Sequence, residues 1–168
     1  MANNPALVPL SGEEIRIAVD LIKSKELIDS SGWFETISLH EPDINAAAPT
    51  REAYVCCYEP SSNTTFQGIV SLDAQEVIDW KAVPGVQARI VPDEFVYAQE
   101  IAKADPDFQA ACAKRGIDDP SDLLVEAWAA GNFGVAEEDG ERIAFGHCWL
   151  QNEAGDNPYG RPVANLHH

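Results

Sequence analysis

Four cysteines and four histidines are the side chains with which this 168-residue chain could hold a metal ion or activate a nucleophile. Cys56, Cys57, Cys112 and Cys148 contain no C-x-x-C pair. Cys56 and Cys57 are neighbours in the strand-like run Tyr54-Val55-Cys56-Cys57-Tyr58, so their thiols point to opposite faces and cannot close on one metal. Structural zinc sites pair their ligands a few residues apart. The thiols therefore read as buried and free, the default in a reducing compartment. His40, His147, His167 and His168 form neither H-x-H nor H-x-x-x-H, and His147 diverges from Cys148 as Cys56 does from Cys57. The pair His167-His168 reads as a tag stub or a native strand end. Neither a metal ligand nor a catalytic residue is expected. Glu137-Glu138-Asp139 and Asp118-Asp119 lack the alternating spacing of a calcium loop and read as solvated turns. Asn63-Thr64-Thr65 matches a glycosylation sequon but, with no secretory signal, is better explained as hairpin-turn chemistry. No G-x-G-x-x-G, G-x-x-x-x-G-K-[ST] or G-x-S-x-G occurs, so dinucleotide, P-loop and nucleophile-elbow readings fall away. What is left is aromatic. Phe95, Trp128 and Tyr159 could line a groove, although such spacings more often mean core.

Charge narrows the partners. The chain carries 28 acidic against 11 basic residues, a net charge of -17 spread over both halves. Such a surface repels phosphates, so nucleic acid is excluded as a partner. It would concentrate cationic ligands within about 8 Å at physiological salt. Hydrophobic residues make up 45% of the chain, enough for one average core or two small ones. The longest apolar runs are a few residues against the roughly 20 that cross a bilayer, so no membrane span is expected. Met1 to Leu10 has no basic residue and no sustained apolar run, which removes a secretory signal and leaves a cytoplasmic protein as the simplest expectation.

The elements that must position these side chains come in two sets. Ser11-Gly12-Glu13-Glu14 is a capping box, and Ile15, Ala18, Val19 and Ile22 follow at helical spacing, predicting a helix to about Leu27. From Trp33 the period is two, with Trp33, Ile37 and Leu39 on one face and Phe34, Thr36, Ser38 and His40 on the other. Strands follow over 51–59, 66–72 and 76–82, separated by turn residues. Residues 84–92, bracketed by prolines, read as a linker. A second helix opens at Asp93, restarts at Asp105-Pro106 and stops at Gly116. Strands are predicted over 123–128, 133–137 and 142–151, with the start of another at Val163. The fold class is α+β: two copies of a helix packed on an antiparallel sheet of about four strands, the second incomplete. Domain limits are an arm at 1–10, a first domain at 11–83, and a truncated second domain at 93–168.

Several stretches, in order, resemble the amino-terminal region of copper-containing primary-amine oxidases, the topaquinone enzymes. They are Val70 to Trp80, Val83-Pro84-Gly85-Val86-Gln87, Asp93-Glu94-Phe95 with Ala104-Asp105-Pro106, Arg115-Gly116-Ile117-Asp118-Asp119, and Gly155-Asp156-Asn157-Pro158-Tyr159-Gly160-Arg161-Pro162. The helix from Ser11 and the segment Leu39-His40-Glu41-Pro42 fit as well. The last run is the most specific, and the likeness covers nearly the whole chain.

The resemblance implies two cystatin-like domains, N2 and N3, preceding a large catalytic domain. That domain supplies copper, its three histidine ligands, the tyrosine that becomes topaquinone and an aspartate base, and it dimerises. None of this equipment is in the chain, which implies a non-catalytic region of a parent that oxidises primary amines. By motif position, Phe95, Trp128 and Tyr159 correspond to side chains at the mouth of the substrate channel, where their rings would guide an ammonium by cation–π attraction. The other reading is a stand-alone binding or assembly module without oxidase activity. No cofactor is expected in this chain, copper and topaquinone belonging to a homodimeric parent.

Overall fold

The computed structural model describes residues 7–43, 50–131, 133–151, 155, 157–163 and 166. His167 and His168, and part of the loops at 42–49 and 152–162, lie outside the described residues. The chain divides into two compact units, Met1–Arg89 and Ile90–His168.

In the first unit, α1 (Gly12–Ser24) begins at the expected capping box. The Glu14 amide donates to Ser11 Oγ at 3.2 Å, and the Ser11 amide donates to Glu14 Oε2 at 2.7 Å. Arg51 closes over this start: its Nε donates to Glu14 Oε1 at 2.7 Å and its Nη1 to the Val8 carbonyl at 2.7 Å. The Arg51 hydrogen bond, helped by the Ser11 amide, pulls the Glu14 carboxyl from its ordinary 4.5 down to about 2. A carboxyl depressed on folding stabilises above its unfolded pKa, and that stability is lost as the pH falls through its folded value. Acid titration of the folding midpoint should therefore steepen between about 4.5 and about 2. Glu14→Gln should flatten that window, and an unchanged profile would remove Glu14 from the acid response.

The helix lies on an antiparallel meander of β1 (Trp33–His40), β2 (Glu52–Glu59), β3 (Thr64–Ser71) and β4 (Glu76–Val83), in that spatial order. Ala18 and Ile22 from α1 meet Ala53, Val55, Cys57, Val70 and Leu72 in the core. Ile17 and Leu21, rather than Ile15 and Val19, flank them, so the buried stripe is rotated slightly from the predicted one. One strand face also departs from strict alternation. The register shifts between Phe34 and Thr36, leaving Glu35 as a bulge. Phe34 then faces Cys57, Ile37 faces Val55 and Leu39 faces Ala53, while Trp33 faces Tyr58. The extra residue exchanges Trp33 and Phe34 between faces, so Phe34 joins the core and Trp33 leaves it.

The second face of this sheet is covered from the expected linker. Thr65 Oγ1 donates to the Val86 carbonyl at 3.0 Å and accepts from the Ala88 amide at 3.1 Å. Arg89 Nε donates to Glu35 Oε1 at 2.6 Å. Cys57 is buried in the core beneath α1 and Cys56 on the opposite face, as the adjacent spacing required. Asn63 takes the left-handed turn position with φ of 48° and accepts from the Tyr58 hydroxyl at 2.9 Å, the hairpin role expected of it.

In the second unit, α2 (Pro92–Ala104) and α3 (Pro106–Ala113) are separated by Asp105, whose carboxylate accepts from the Phe108 amide at 2.8 Å. Gly116, with φ of 74°, turns the chain out of the helix. The sheet has the order β5 (Leu123–Ala129), β6 (Ala144–Leu150), β7 (Pro162–Val163). The strand predicted over 133–137 does not form: Ala136–Glu138 is a turn of 3-10 helix. Its residues include Gly134 at φ of 76°, a conformation that breaks an extended run. Phe108, Cys112, Ile117, Leu123, Val125 and Cys148 make the core. Glu94 holds the start of α2, accepting from the Val91 amide at 2.9 Å and pairing both oxygens with Arg142 at 2.5 and 2.6 Å.

Candidate functional site

The alternation along β5 decides what the second sheet presents. Leu123, Val125 and Ala127 are buried toward the helices. Leu124, Glu126 and Trp128 therefore share the outer face. On β6 they lie opposite Trp149, His147 and Phe145 respectively. Cys148 points inward, so the divergence of His147 and Cys148 expected from adjacency holds.

This outer face is aromatic with one carboxylate inside it. Trp128 meets His147 edge-on at 5.5 Å between ring centroids, and His147 lies 5.8 Å from Trp149. The loop after β6 then returns Tyr159, whose ring stands edge-on to Trp149 at 5.2 Å. Asn157 sets that return by accepting the Tyr159 amide at 3.0 Å, an Asx turn. Glu126 sits among them. Its Oε2 accepts the Trp128 indole N–H at 2.9 Å, and its Oε1 accepts the Tyr159 hydroxyl at 3.2 Å. The charge on Glu126, reinforced by that hydrogen bond, pushes the Tyr159 phenol above its ordinary value.

Phe95 stands in the first turn of α2 and lines an open depression of about 250 Å³ with Val96, Gln99, Leu124, Val125 and Glu126. Gln99 fixes the helix to the strand, accepting the Val125 amide at 3.1 Å and so satisfying an edge N–H of the sheet. Phe95, Trp128 and Tyr159 are exposed, at 40%, 57% and 55%. The pattern-based preference for core fails for all three. Trp128 and Tyr159 converge on Glu126, and Phe95 reaches the same residue through the depression. Glu126 and Trp149 were not anticipated as site residues. The repeat Leu124-Glu126-Trp128 on one strand face carried a signal for the first. Nothing local announced that Tyr159 would land on it.

Nucleophilic and metal chemistry find little here. Burial pushes the Cys56 and Cys148 thiols up to about 11 and Cys57 up to about 12, so each is protonated and unreactive at neutral pH. Among the described residues, no group of three or more His, Cys, Asp or Glu side chains could hold a metal ion. His40 is engaged by Glu52 at 2.9 Å. Copper has no ligand set among these residues. What the site offers is binding: a carboxylate walled by rings.

Residues 93–168 match the family model described as the copper amine oxidase N3 domain. A primary amine oxidase of Arthrobacter sp. (strain P1) is 32% identical over 165 residues, aligning with 95% of this chain and 25% of that protein. The chain corresponds to the amino-terminal region of copper amine oxidases. The chain is also 26% identical to a copper-containing diamine oxidase, named peroxisomal, of Nicotiana tabacum, across 96% of the chain and 26% of the relative. Its fold matches the crystal structure of a copper-containing benzylamine oxidase from Hansenula polymorpha with a TM-score of 0.69, at 18% identity, over 92% of this chain and 26% of that one. The chain thus spans about a quarter of the length of the relatives it matches. No helix among its described residues is long and apolar enough to cross a membrane.

Proposed function

We propose that this chain is the non-catalytic amino-terminal region of a primary-amine oxidase and flanks the path by which the amine reaches the catalytic centre. In this reading 11–83 is the N2 domain, 84–92 the linker and 93–168 the N3 domain. The parent converts a primary amine, oxygen and water to an aldehyde, ammonia and hydrogen peroxide. Copper and topaquinone supply that chemistry in a domain outside this chain, and the chain alone is inactive. The parent is a homodimer. Four buried free cysteines suit the cytoplasm or another reducing compartment.

The observation that carries the reading is the exposed aromatic face holding Trp128 and Tyr159 around Glu126, with Phe95 beside it. Rings with large exposed faces attract a primary ammonium by about 0.5–1 kcal/mol each and slide along its apolar tail. Channel walls select by shape, where a methylene group shifts kcat/KM by roughly tenfold. In the full-length parent, Trp128→Ala should change the ratio of kcat/KM for a bulky aromatic amine to that for a small aliphatic one by about fivefold or more. Stopped assays of peroxide give that ratio. An unchanged ratio for both Trp128→Ala and Tyr159→Ala would overturn the path reading, and amine-dependent peroxide from the 168-residue chain alone would overturn its inactivity.

A further inference from the structure

We propose that Glu126 is a specificity-determining residue that binds the ammonium group of a primary amine on the outer face of the second sheet. The inference deepens the amine-path reading and rests on it.

The geometry is that of a cation site. Trp128 and Tyr159 donate one hydrogen bond to each Glu126 oxygen, at 2.9 and 3.2 Å. An ionised carboxylate offers about four acceptor positions, so each oxygen keeps capacity for one more donor. An ammonium brings three donors and no acceptor. Both bonds fix the carboxylate against the rings, and neither neutralises it. Trp128, His147, Trp149 and Tyr159 form a continuous chain of ring contacts beside it. Those faces suit the polarised methylene next to a charged nitrogen. The depression shared by Glu126 and Phe95 leaves room for the rest of the amine.

A purely architectural role explains less. Trp128 and Tyr159 are more than half exposed, so water could take both of their hydrogen bonds without a buried polar group going unsatisfied. A metal ion fits poorly, because no set of three ligating side chains gathers among the described residues. A monovalent organic cation matches one carboxylate and a wall of rings.

The test uses the 168-residue chain and benzylamine hydrochloride at neutral pH, with ionic strength held constant. The Trp128 indole N–H resonance is the reporter, assigned by Trp128→Phe, and the Trp33 and Trp80 indoles of the first unit are internal references. A saturable shift of the Trp128 signal in the millimolar range is expected, with benzyl alcohol, the neutral isostere, giving none. Glu126→Gln removes the charge, keeps an acceptor oxygen for one of the two donors, and should weaken the amine about tenfold. Glu126→Asp keeps the charge, shortens its reach and should fall between. Equal responses to amine and alcohol, an affinity unchanged by Glu126→Gln, or no saturable shift would each overturn the proposal. If binding fails while Trp128→Ala still alters amine preference in the parent, the path reading survives without Glu126. If Glu126-dependent binding holds while parent kinetics are flat, Glu126 binds an ammonium without setting amine preference, and its specificity role falls together with the path reading.

Discussion

Gly68→Ala should cost the first unit about 3 kcal/mol of stability, near the upper end for overpacking of a close contact. Gly68 lies in β3 between Val55 on β2 and Trp80 on β4. A Cβ there would stand 2.4 Å from Trp80 Cε3 and 2.5 Å from the Asp79 carbonyl oxygen. Neither neighbour yields cheaply. The Trp80 ring is stacked on Phe66 at 5.8 Å and 10°, and the Asp79 oxygen is backbone of the paired strand. Alanine restricts the unfolded chain and recovers about 0.5–1 kcal/mol, which does not offset the clash. Amide exchange of β2 and β3 is the suitable measurement, since a chain of two units need not melt in one transition. Gly85→Ala serves as the comparison. Its φ of 70° penalises any side chain, but nothing lies within 4 Å of the added carbon. The expected loss there is about 1 kcal/mol, from backbone strain alone. A Gly68→Ala protein within about 0.5 kcal/mol of the parent would contradict the β3–β4 register.

Glu94→Ala should destabilise the second unit by a comparable amount, about 3 kcal/mol. The Glu94 and Arg142 side chains are only 14% and 17% exposed, so removing the carboxylate strands a largely buried guanidinium. The same truncation deprives the Val91 amide of its cap at the start of α2. Glu94→Gln separates the two losses, keeping an acceptor for the amide while deleting the charge, and should cost roughly half as much. Glu94→Ala with Arg142→Ala should lose less than the sum of the single variants, because no charge is then left alone. Additivity of the pair in amide exchange of β5 and β6 would show that the two groups do not act together. The pair also bears on the site. Glu94 precedes Phe95, so the clamp that anchors the helix start sets the position of one wall of the depression.

Much of the scaffold was legible from short-range rules. The capping box at Ser11 predicted the start of α1 because both of its hydrogen bonds are local. The Asp105-Pro106 restart predicted α3 for the same reason: the carboxylate and the missing proline N–H act within one turn. Strand alternation predicted that Cys56 and Cys57, and likewise His147 and Cys148, would part company across a sheet. Local rules failed where one residue changed the count or the backbone sign. Glu35 bulges and exchanges Trp33 with Phe34, and Gly134 interrupts a run that composition alone marked as strand.

The amino-acid sequence by itself determined that this chain makes two small helix-on-sheet units. It also determined that no dinucleotide, P-loop or nucleophile-elbow motif occurs, and it marked Phe95, Trp128 and Tyr159 as aromatics that could line a groove. Those properties follow from spacing, capping and order along the chain. Only the tertiary structure decided that two of the three aromatics share one carboxylate and the third borders it. Glu126 and Tyr159 are 33 residues apart, and their hydrogen bond forms because the loop after β6 folds back across the sheet. No period or motif encodes that return. It is settled by pairing β5 with β6, which turns the Glu126 row outward, and by the Asn157 turn, which delivers the phenol to it.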